Sequence, residues 1–529
     1  MPKNTLTTVL HTLLGAAALF ALSILIQKPA VAADDAEGKS LFNGKDLTGW
    51  DGDPKYWKVE DGAIVGQTTA ENPISENSFL IWKDGEVDDF ELRLKYRING
   101  GNSGVQYRSK RFPPDGQKVK GNWVVGGYQA DLEAGDGYTG ILYEERKSRG
   151  IMAMRGESVT FSEDGKKTVG APVGDGGKLQ ESVKKNDWND YTIIAKGNKL
   201  THIINGKKFV EVVDNDAKKR ALSGVLALQV HTGPAMKVEF KDIKLKRTKL
   251  AAVDGIGDRN KIVMVAGSPS HGPGDHEFNA GTLLLKKCLD ESVPGVVTAV
   301  YRGGWPTDMT AFDNADTIML YMDGGGGHPL IKTRERLAEI DYLMKHGVGL
   351  VCAHYAVEIP KEKGGPDLLN WIGGYFEMHW SVNPHWTMKQ AQLAKDHPIT
   401  RGVDPFEMRD EWYYHMRFRD NMQGVTPILS AVPPEETRQK ADGTHSGNPT
   451  VRSRTGQPEI VAWACEREDG GRGFGFTGGH FHKNWGDDNC RKLFLNALVW
   501  TAKGEVPNGG IQSKVTEEEL KANLDPKQK

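Results

Sequence analysis

Arg108, Gln129, Asp131, Glu144 and His231 are the side chains in the first half of the sequence whose types suit work on a sugar. Planar amides and carboxylates match the hydroxyls of a pyranose, and apolar or aromatic neighbours give the ring a floor. The run Asn102-Ser103-Gly104-Val105-Gln106-Tyr107-Arg108 reads as a strand with Ser103, Val105 and Tyr107 on one face and Gly104, Gln106 and Arg108 on the other. Tyr128-Gln129-Ala130-Asp131 separates Gln129 and Asp131 from their neighbours in the same way, and Gly140-Ile141-Leu142-Tyr143-Glu144 supplies a third short strand. The expectation is one concave face shared by Arg108, Gln129 and Asp131. Spacing alone equally suits a solvated face with an ordinary ion pair. His231, after the apolar run 225–230, equally suits a hydrogen-bonded structural imidazole.

Histidine usage separates the two halves. Three of the 15 histidines (His11, His202 and His231) fall in the first 260 residues and 12 follow. His271 and His276, His328, His354, and His480 with His482 come just after apolar runs that read as strands, where an α/β sheet presents its ligands. Imidazoles converging there, with Asp275, Glu277, Asp323 and Glu358 nearby, could act as acid and base or hold a divalent metal. The spacing fits no H-E-x-x-H or other fixed ligand motif, so the cofactor stays open between none and a divalent metal ion. Residues 324–327 are four glycines without the Lys-Ser/Thr of a phosphate loop, and nucleotide binding is not expected.

Two different scaffolds must carry these residues. From 57 to 246 the pattern has period two: Phe90, Leu92, Leu94, Tyr96 and Ile98 alternate with Glu91, Arg93, Lys95 and Arg97. Similar short runs recur, and Asn205-Gly206 supplies a hairpin turn. Many strands with almost no helix predict an antiparallel β-sandwich of the jelly-roll, concanavalin or lectin type. After 248–260 a continuous apolar run at 261–267 suits a strand covered on both faces, and strands then alternate with helices up to a closing helix at 489–501. That alternation predicts a doubly wound α/β layer. The expected organisation is an export signal at 1–33, a sandwich at 39–247, a linker at 248–260, an α/β domain at 261–502 and a charged, frayed tail at 503–529.

Composition narrows the function classes. Of 529 residues 38% are hydrophobic and 26% charged, which suits globular domains and not a disordered chain. Lys plus Arg number 68 against 70 Asp plus Glu, so there is no net field to hold nucleic acid. The apolar run 13–26 is shorter than the ~20 residues a membrane span needs, and Ala30-Val31-Ala32-Ala33 follows it. Cleavage near Ala32/Ala33 is expected, leaving a periplasmic or secreted protein with no stable membrane span. Cys288, Cys352, Cys465 and Cys490 lie at apolar positions and are expected to be buried thiols.

Motifs beyond spacing carry two resemblances. Leu41-Phe42-Asn43-Gly44-Lys45-Asp46-Leu47-Thr48-Gly49-Trp50, Asn102-Ser103-Gly104-Val105-x-x-Arg108, Tyr128-Gln129-x-Asp131, Trp188-Asn189-Asp190-Tyr191 and Leu228-Gln229-x-His231 resemble the 3-keto-disaccharide hydrolase domain family. This resemblance spans about 39–247 and implies a concanavalin-like sandwich that cleaves glycosides already oxidised at C3. A ketone at C3 acidifies the C2 proton and opens an elimination across C1–C2, which needs a base, a stabilised enolate oxygen and an acid at the leaving oxygen. On this reading Asp131 or His231 is the base, Arg108 the cation at the oxyanion, and Gln129 and Glu144 contact hydroxyls or the leaving group. The family often has Glu before Tyr-Gln, where this chain has Gly126-Gly127.

Gly349-Leu350-Val351-Cys352-Ala353-His354-Tyr355-Ala356, Asp396-His397-Pro398-Ile399-Thr400-Arg401-Gly402 and Asp410-Glu411-Trp412-Tyr413 resemble the ThuA (trehalose utilisation) family over about 261–502. The implied fold is flavodoxin-like, of the class I glutamine-amidotransferase type. Those amidotransferases carry Gly-x-Cys-x-Gly at a strained strand-to-helix elbow. That motif is absent here and Cys352 ends its strand, so glutamine hydrolysis is not expected.

The combined expectation is an exported hydrolase or lyase acting on 3-keto-disaccharides, with the ThuA-like half in the same keto-sugar pathway. Without a dinucleotide motif, a separate sugar 3-dehydrogenase must act upstream. Two alternatives stay open: a non-catalytic carbohydrate-binding sandwich tethering a ThuA-like domain, and a metal-dependent ThuA-like half as the sole enzyme.

Overall fold

The structure is a computed structural model that describes residues 38–83, 85–112, 123–307 and 310–527. The expected export signal lies outside the described residues. Among them no helix is long and apolar enough to cross a membrane.

Residues 39–247 form a β-sandwich. The strand Phe90–Asn99 shows why: its residues alternate buried and solvent-facing, and it pairs on its two edges with Asn189–Lys196 and Met236–Arg247. It lies within a ten-stranded sheet, and a seven-stranded sheet packs over it. Leu92, Leu94, Tyr191 and Phe240 from one sheet meet Trp82, Val105, Tyr128 and Leu228 from the other in one core. Each such side chain contributes about 1.5–3 kcal/mol on burial. Pairing is antiparallel except where Ser158–Phe161 runs parallel to Lys207–Asp214. One short helix, Gly176–Glu181, is capped by the Asp175 carboxylate.

The second domain is doubly wound and flavodoxin-like. Five parallel strands run in the order Val296–Tyr301, Asn260–Ala266, Thr317–Tyr321, Gly349–Ala353 and Arg472–Phe476, and Glu459–Glu466, Val425–Ala431 and Gln392–Leu393 extend the sheet antiparallel. This is the 2-1-3-4-5 order whose ligands sit beyond the carboxyl ends of the strands. Successive residues of the Asn260–Ala266 strand serve opposite faces. Ile262, Met264 and Ala266 pack with the helices Phe278–Ser292 and Asp488–Thr501, while Val263 and Val265 share a core with Arg334–Lys345 and Gly365–Ile372.

A buried ionic joint links the domains. The Asp89 carboxylate meets Arg108 of the sandwich at 2.8 Å and Arg259 of the connecting segment at 3.0 Å, and Asp88 meets Lys261 of the first parallel strand at 2.9 Å. The chain after 503 departs from the expectation of a frayed tail. The helix Glu517–Lys521 carries a capping box, and Lys527, 5% exposed at its side chain, pairs with the buried Glu277 at 3.2 Å. Lys527 is thus a partner for a buried group, while Glu517 and Lys521 pair with each other in solvent. All four cysteines are free and buried.

Candidate functional site

The outer face of the seven-stranded sheet holds an open hollow of about 630 Å³ lined by Asn77, Asn102, Gln129, Asp131, Glu145 and His231, among others. Register places these side chains together. Gly104 pairs with Asp131, Gln106 with Gln129, and Gln129 with Tyr143, so each row projects the same way. A relay fixes the amides: Ser109 Oγ donates to Gln106 Oε1 at 2.6 Å, Gln106 Nε2 to Gln129 Oε1 at 2.5 Å, and Gln129 Nε2 to Asp131 Oδ1 at 2.5 Å. Gly104 leaves room for this row, since a Cβ there would stand 2.5 Å from Gln129 Cγ.

Burial pushes the Asp131 carboxyl up to about 8. Hydrogen bonds from Gln129 and Asn102 pull the other way, and the charges of Glu145 and Glu133 add to the rise. Burial also raises Glu145, which accepts a hydrogen bond from Asn77. His231 Nδ1 faces the Thr232 carbonyl, which can only accept, so Nδ1 is the donor there and in the neutral ring the lone pair belongs to Nε2.

Two expected members of this site lie elsewhere. Arg108 has φ +47° at a bulge where the pairing with Val124–Glu133 shifts register between Tyr107 and Lys110. The bulge breaks the period-two alternation and turns the guanidinium away from Gln106 and Gln129 into the joint with Asp89. Glu144 sits opposite Tyr128 on the inner face and pairs with Arg149 at 2.6 Å. The carboxylate in the hollow is Glu145, one residue later and opposite Gly127. At the Gly126-Gly127 departure a Cβ on Gly127 would stand 2.5 Å from Ser109 Oγ, so Ser109 takes the space of a side chain there.

In the α/β domain, loops after three parallel strands bring histidines together. His276 Nε2 lies 3.0 Å from His354 Nε2 and 3.0 Å from His480 Nδ1, and the last two are 3.3 Å apart. Glu411 Oε2 stands 3.1 Å from His480 Nδ1 and 3.4 Å from His354 Nε2. Asp410 fixes this arrangement by accepting from the backbone N–H groups of Gly479 at 2.8 Å and His480 at 3.1 Å. Outer partners orient two of the rings: His276 Nδ1 faces Asp323 Oδ1 at 2.9 Å and His354 Nδ1 faces the Thr477 carbonyl at 2.9 Å. His271 lies against His276, with ring centroids 3.6 Å apart. Desolvation and the neighbouring imidazoles hold His276 down at about 3, against its bond to Asp323. Despite burial, bonds from His354 and His480 hold the Glu411 carboxyl well below the usual carboxylate range. Among the described residues His276, His354, Glu411 and His480 form one group that could hold a metal ion, and His271, His276 and Asp323 form a second.

His328 and His482 stay outside the cluster. His328 Nδ1 accepts from Leu330 N at 3.1 Å and its other nitrogen donates to the Ala356 carbonyl, so both nitrogens are used locally. His482 Nε2 donates to Leu520 O at 2.9 Å and holds the tail. His354 itself, at φ +53°, occupies the turn directly after its strand. Cys352 is buried within the strand and desolvation raises its thiol far above the usual range, which leaves it no thiolate character. Sequence reasoning missed Glu145 and Glu411 as site residues. For Glu411 the signal was the Asp410-Glu411-Trp412-Tyr413 motif.

Residues 37–246 match the family of 3-keto-alpha-glucoside-1,2-lyase-like domains, and residues 275–501 match the trehalose utilisation family, ThuA. The two domains belong to these two families. The chain is thus a carbohydrate-related domain pair. Among solved structures, a candidate glycosyl hydrolase from Parabacteroides distasonis is 24% identical over 41% of this chain and 96% of its own, with a TM-score of 0.27. A ThuA-like protein from Bacteroides uniformis is 16% identical over 48% of this chain and 97% of its own, with a TM-score of 0.35. A carbohydrate binding module from Bacillus subtilis is 15% identical over 37% of this chain and 95% of its own, with a TM-score of 0.24. No curated protein matches the chain significantly.

Proposed function

We propose that the hollow of the 3-keto-glucoside-lyase-like domain cleaves 3-keto-glycosides by elimination across C1–C2. The observation that carries this reading is Asp131, a buried carboxyl on the wall of an open hollow whose proton is retained up to about pH 8. His231 Nε2 takes the C2 proton, which the neighbouring ketone has acidified. The electron pair moves through the enolate to form the C1–C2 double bond as the C1–O bond breaks, and Asp131 gives its proton to the departing oxygen. Addition of water across the new double bond then releases the 3-keto sugar. Gln129, held by Gln106, positions hydroxyls, and the Glu145 carboxyl, also raised by burial, borders the same space.

The reading includes an upstream sugar 3-dehydrogenase, because the elimination needs a ketone that this chemistry does not make. It also includes export, to be tested by cell fractionation. The deciding experiment incubates the whole protein with 3-keto-trehalose and with trehalose in D2O. Release of free sugar and deuterium at C2 from the keto substrate alone supports the reading. Binding of the keto sugar without turnover or exchange overturns it in favour of a carbohydrate-binding module.

A further inference from the structure

We propose that His276, His354, His480 and Glu411 of the ThuA domain bind one divalent transition-metal ion. Their donor atoms already describe its coordination shell. The three ring nitrogens are separated by 3.0, 3.0 and 3.3 Å, with the carboxylate oxygen 3.1 and 3.4 Å from two of them. In a tetrahedral site with bonds of ~2.0–2.1 Å, neighbouring donors stand about 3.3 Å apart.

The orientation of the rings points the same way. Asp323 and the Thr477 carbonyl are acceptors that hold the Nδ1 sides of His276 and His354, which turns their Nε2 atoms toward each other across 3.0 Å and toward His480 Nδ1. Both rings are buried, His354 at 0% and His276 at 1% exposure. A cation at their centre would take all four donor atoms at once. Both residues also hold left-handed backbone, φ +53° and +48°, which costs a non-glycine residue of order 1–3 kcal/mol and persists where the surroundings enforce it. Asp323 is an outer partner and not part of a second centre with His271. Its 2.9 Å contact goes to the His276 nitrogen that faces away from the cluster, the carboxylate–histidine–metal arrangement. Three imidazoles with a single carboxylate favour zinc, iron, cobalt or nickel over magnesium or calcium, which prefer oxygen donors.

The test uses the full-length protein, stripped with chelator and titrated with Zn2+, Co2+, Mg2+ and Ca2+. The expected result is one Zn2+ or Co2+ per chain, visible absorption bands from the Co2+ form, and no comparable binding of Mg2+ or Ca2+. His354→Ala with His480→Ala abolishes the site, and Asp323→Asn weakens it about 10- to 100-fold. His346→Asn, at an exposed imidazole on the Arg334–Lys345 helix cap, leaves it intact. Glu411→Gln keeps the side-chain shape and separates loss of the ligand from loss of the fold, with near-UV circular dichroism as the check. Absence of stoichiometric binding, full binding by the double variant, or equal affinity for Mg2+ overturns the assignment.

Discussion

Arg108 Nη2 and Arg259 Nη1 converge on the same Asp89 oxygen, at 2.8 and 3.0 Å, with all three side chains removed from solvent. Asp89 further accepts from the backbone N–H groups of Gly197 and Ala251. One arginine belongs to the sandwich and the other to the segment leading into the α/β domain, so this carboxylate ties the two together. Removing one partner of a buried, hydrogen-bonded pair typically costs about 3–5 kcal/mol, because the other charge is left without compensation. Arg108→Ala is therefore expected to lower the urea midpoint strongly, with turnover per folded molecule retained. A variant of native stability that had lost turnover would return Arg108 to the chemistry.

Asp131 sets a pH signature. Its folded-state carboxyl lies near 8, above the ordinary 3.8, so the folded state binds the extra proton between those values and stability falls as pH rises through that window. Each unit of such a shift corresponds to about 1.4 kcal/mol. Asp131→Asn is expected to flatten the decline in melting temperature from pH 4 to 8 while removing turnover of the 3-keto-glycoside. The native protein should lose activity above about pH 8, where Asp131 gives up its proton. Activity still rising at pH 9 would exclude Asp131 as the proton donor.

Gly104 offers a subtler probe of the same hollow. The added methyl of Gly104→Ala meets Gln129 Cγ at 2.5 Å and must displace that amide, and with it the bond to Asp131. Misplacement of about 1 Å at a catalytic group can cost 100-fold in rate. A drop of that order in kcat, with circular dichroism unchanged, is expected. Unchanged kinetics would mean that Gln129 does not position the substrate.

The extent to which the sequence revealed these sites follows from which local rules hold. Period two correctly put Gln129 and Asp131 on one face because Val124–Glu133 pairs in unbroken register around them. It failed at Arg108, where a bulge inverts the alternation, since the positive φ there belongs to a residue type that does not announce it. Glu144 and Glu145 are both buried, and only the pairing with Tyr128 and Gly127 decides which one faces the hollow. Strand ends located His276, His354 and His480, because the doubly wound order fixes where such loops converge. The same rule drew in His328, whose two nitrogens bond to Leu330 N–H and the Ala356 carbonyl, and His482, whose Nε2 donates to Leu520 O of the tail, contacts that spacing does not reveal. Glu411 follows a short strand outside the parallel set, so no periodicity pointed to it.

The C-terminal tail should govern the loop that carries His271 and His276. Lys527 pairs with Glu277 and bonds to the Asp275 carbonyl, and the Asp525 N–H bonds to Glu277 at 2.8 Å. Glu277 is buried, and against that burial these bonds, with one from the Gly274 N–H, hold its carboxyl below the ordinary 4.5. A carboxyl lowered in this way adds stability above its unfolded value and loses it as pH falls through the folded one. Ending the chain at Lys521 removes Asp525 and Lys527 and leaves Glu277 with the Gly274 N–H. The expected outcome is faster amide hydrogen exchange across residues 270–277 and a smaller loss of stability between pH 5 and 3 than in the full-length protein. Exchange that stays as slow in the truncated chain would show that the loop holds its shape without the tail.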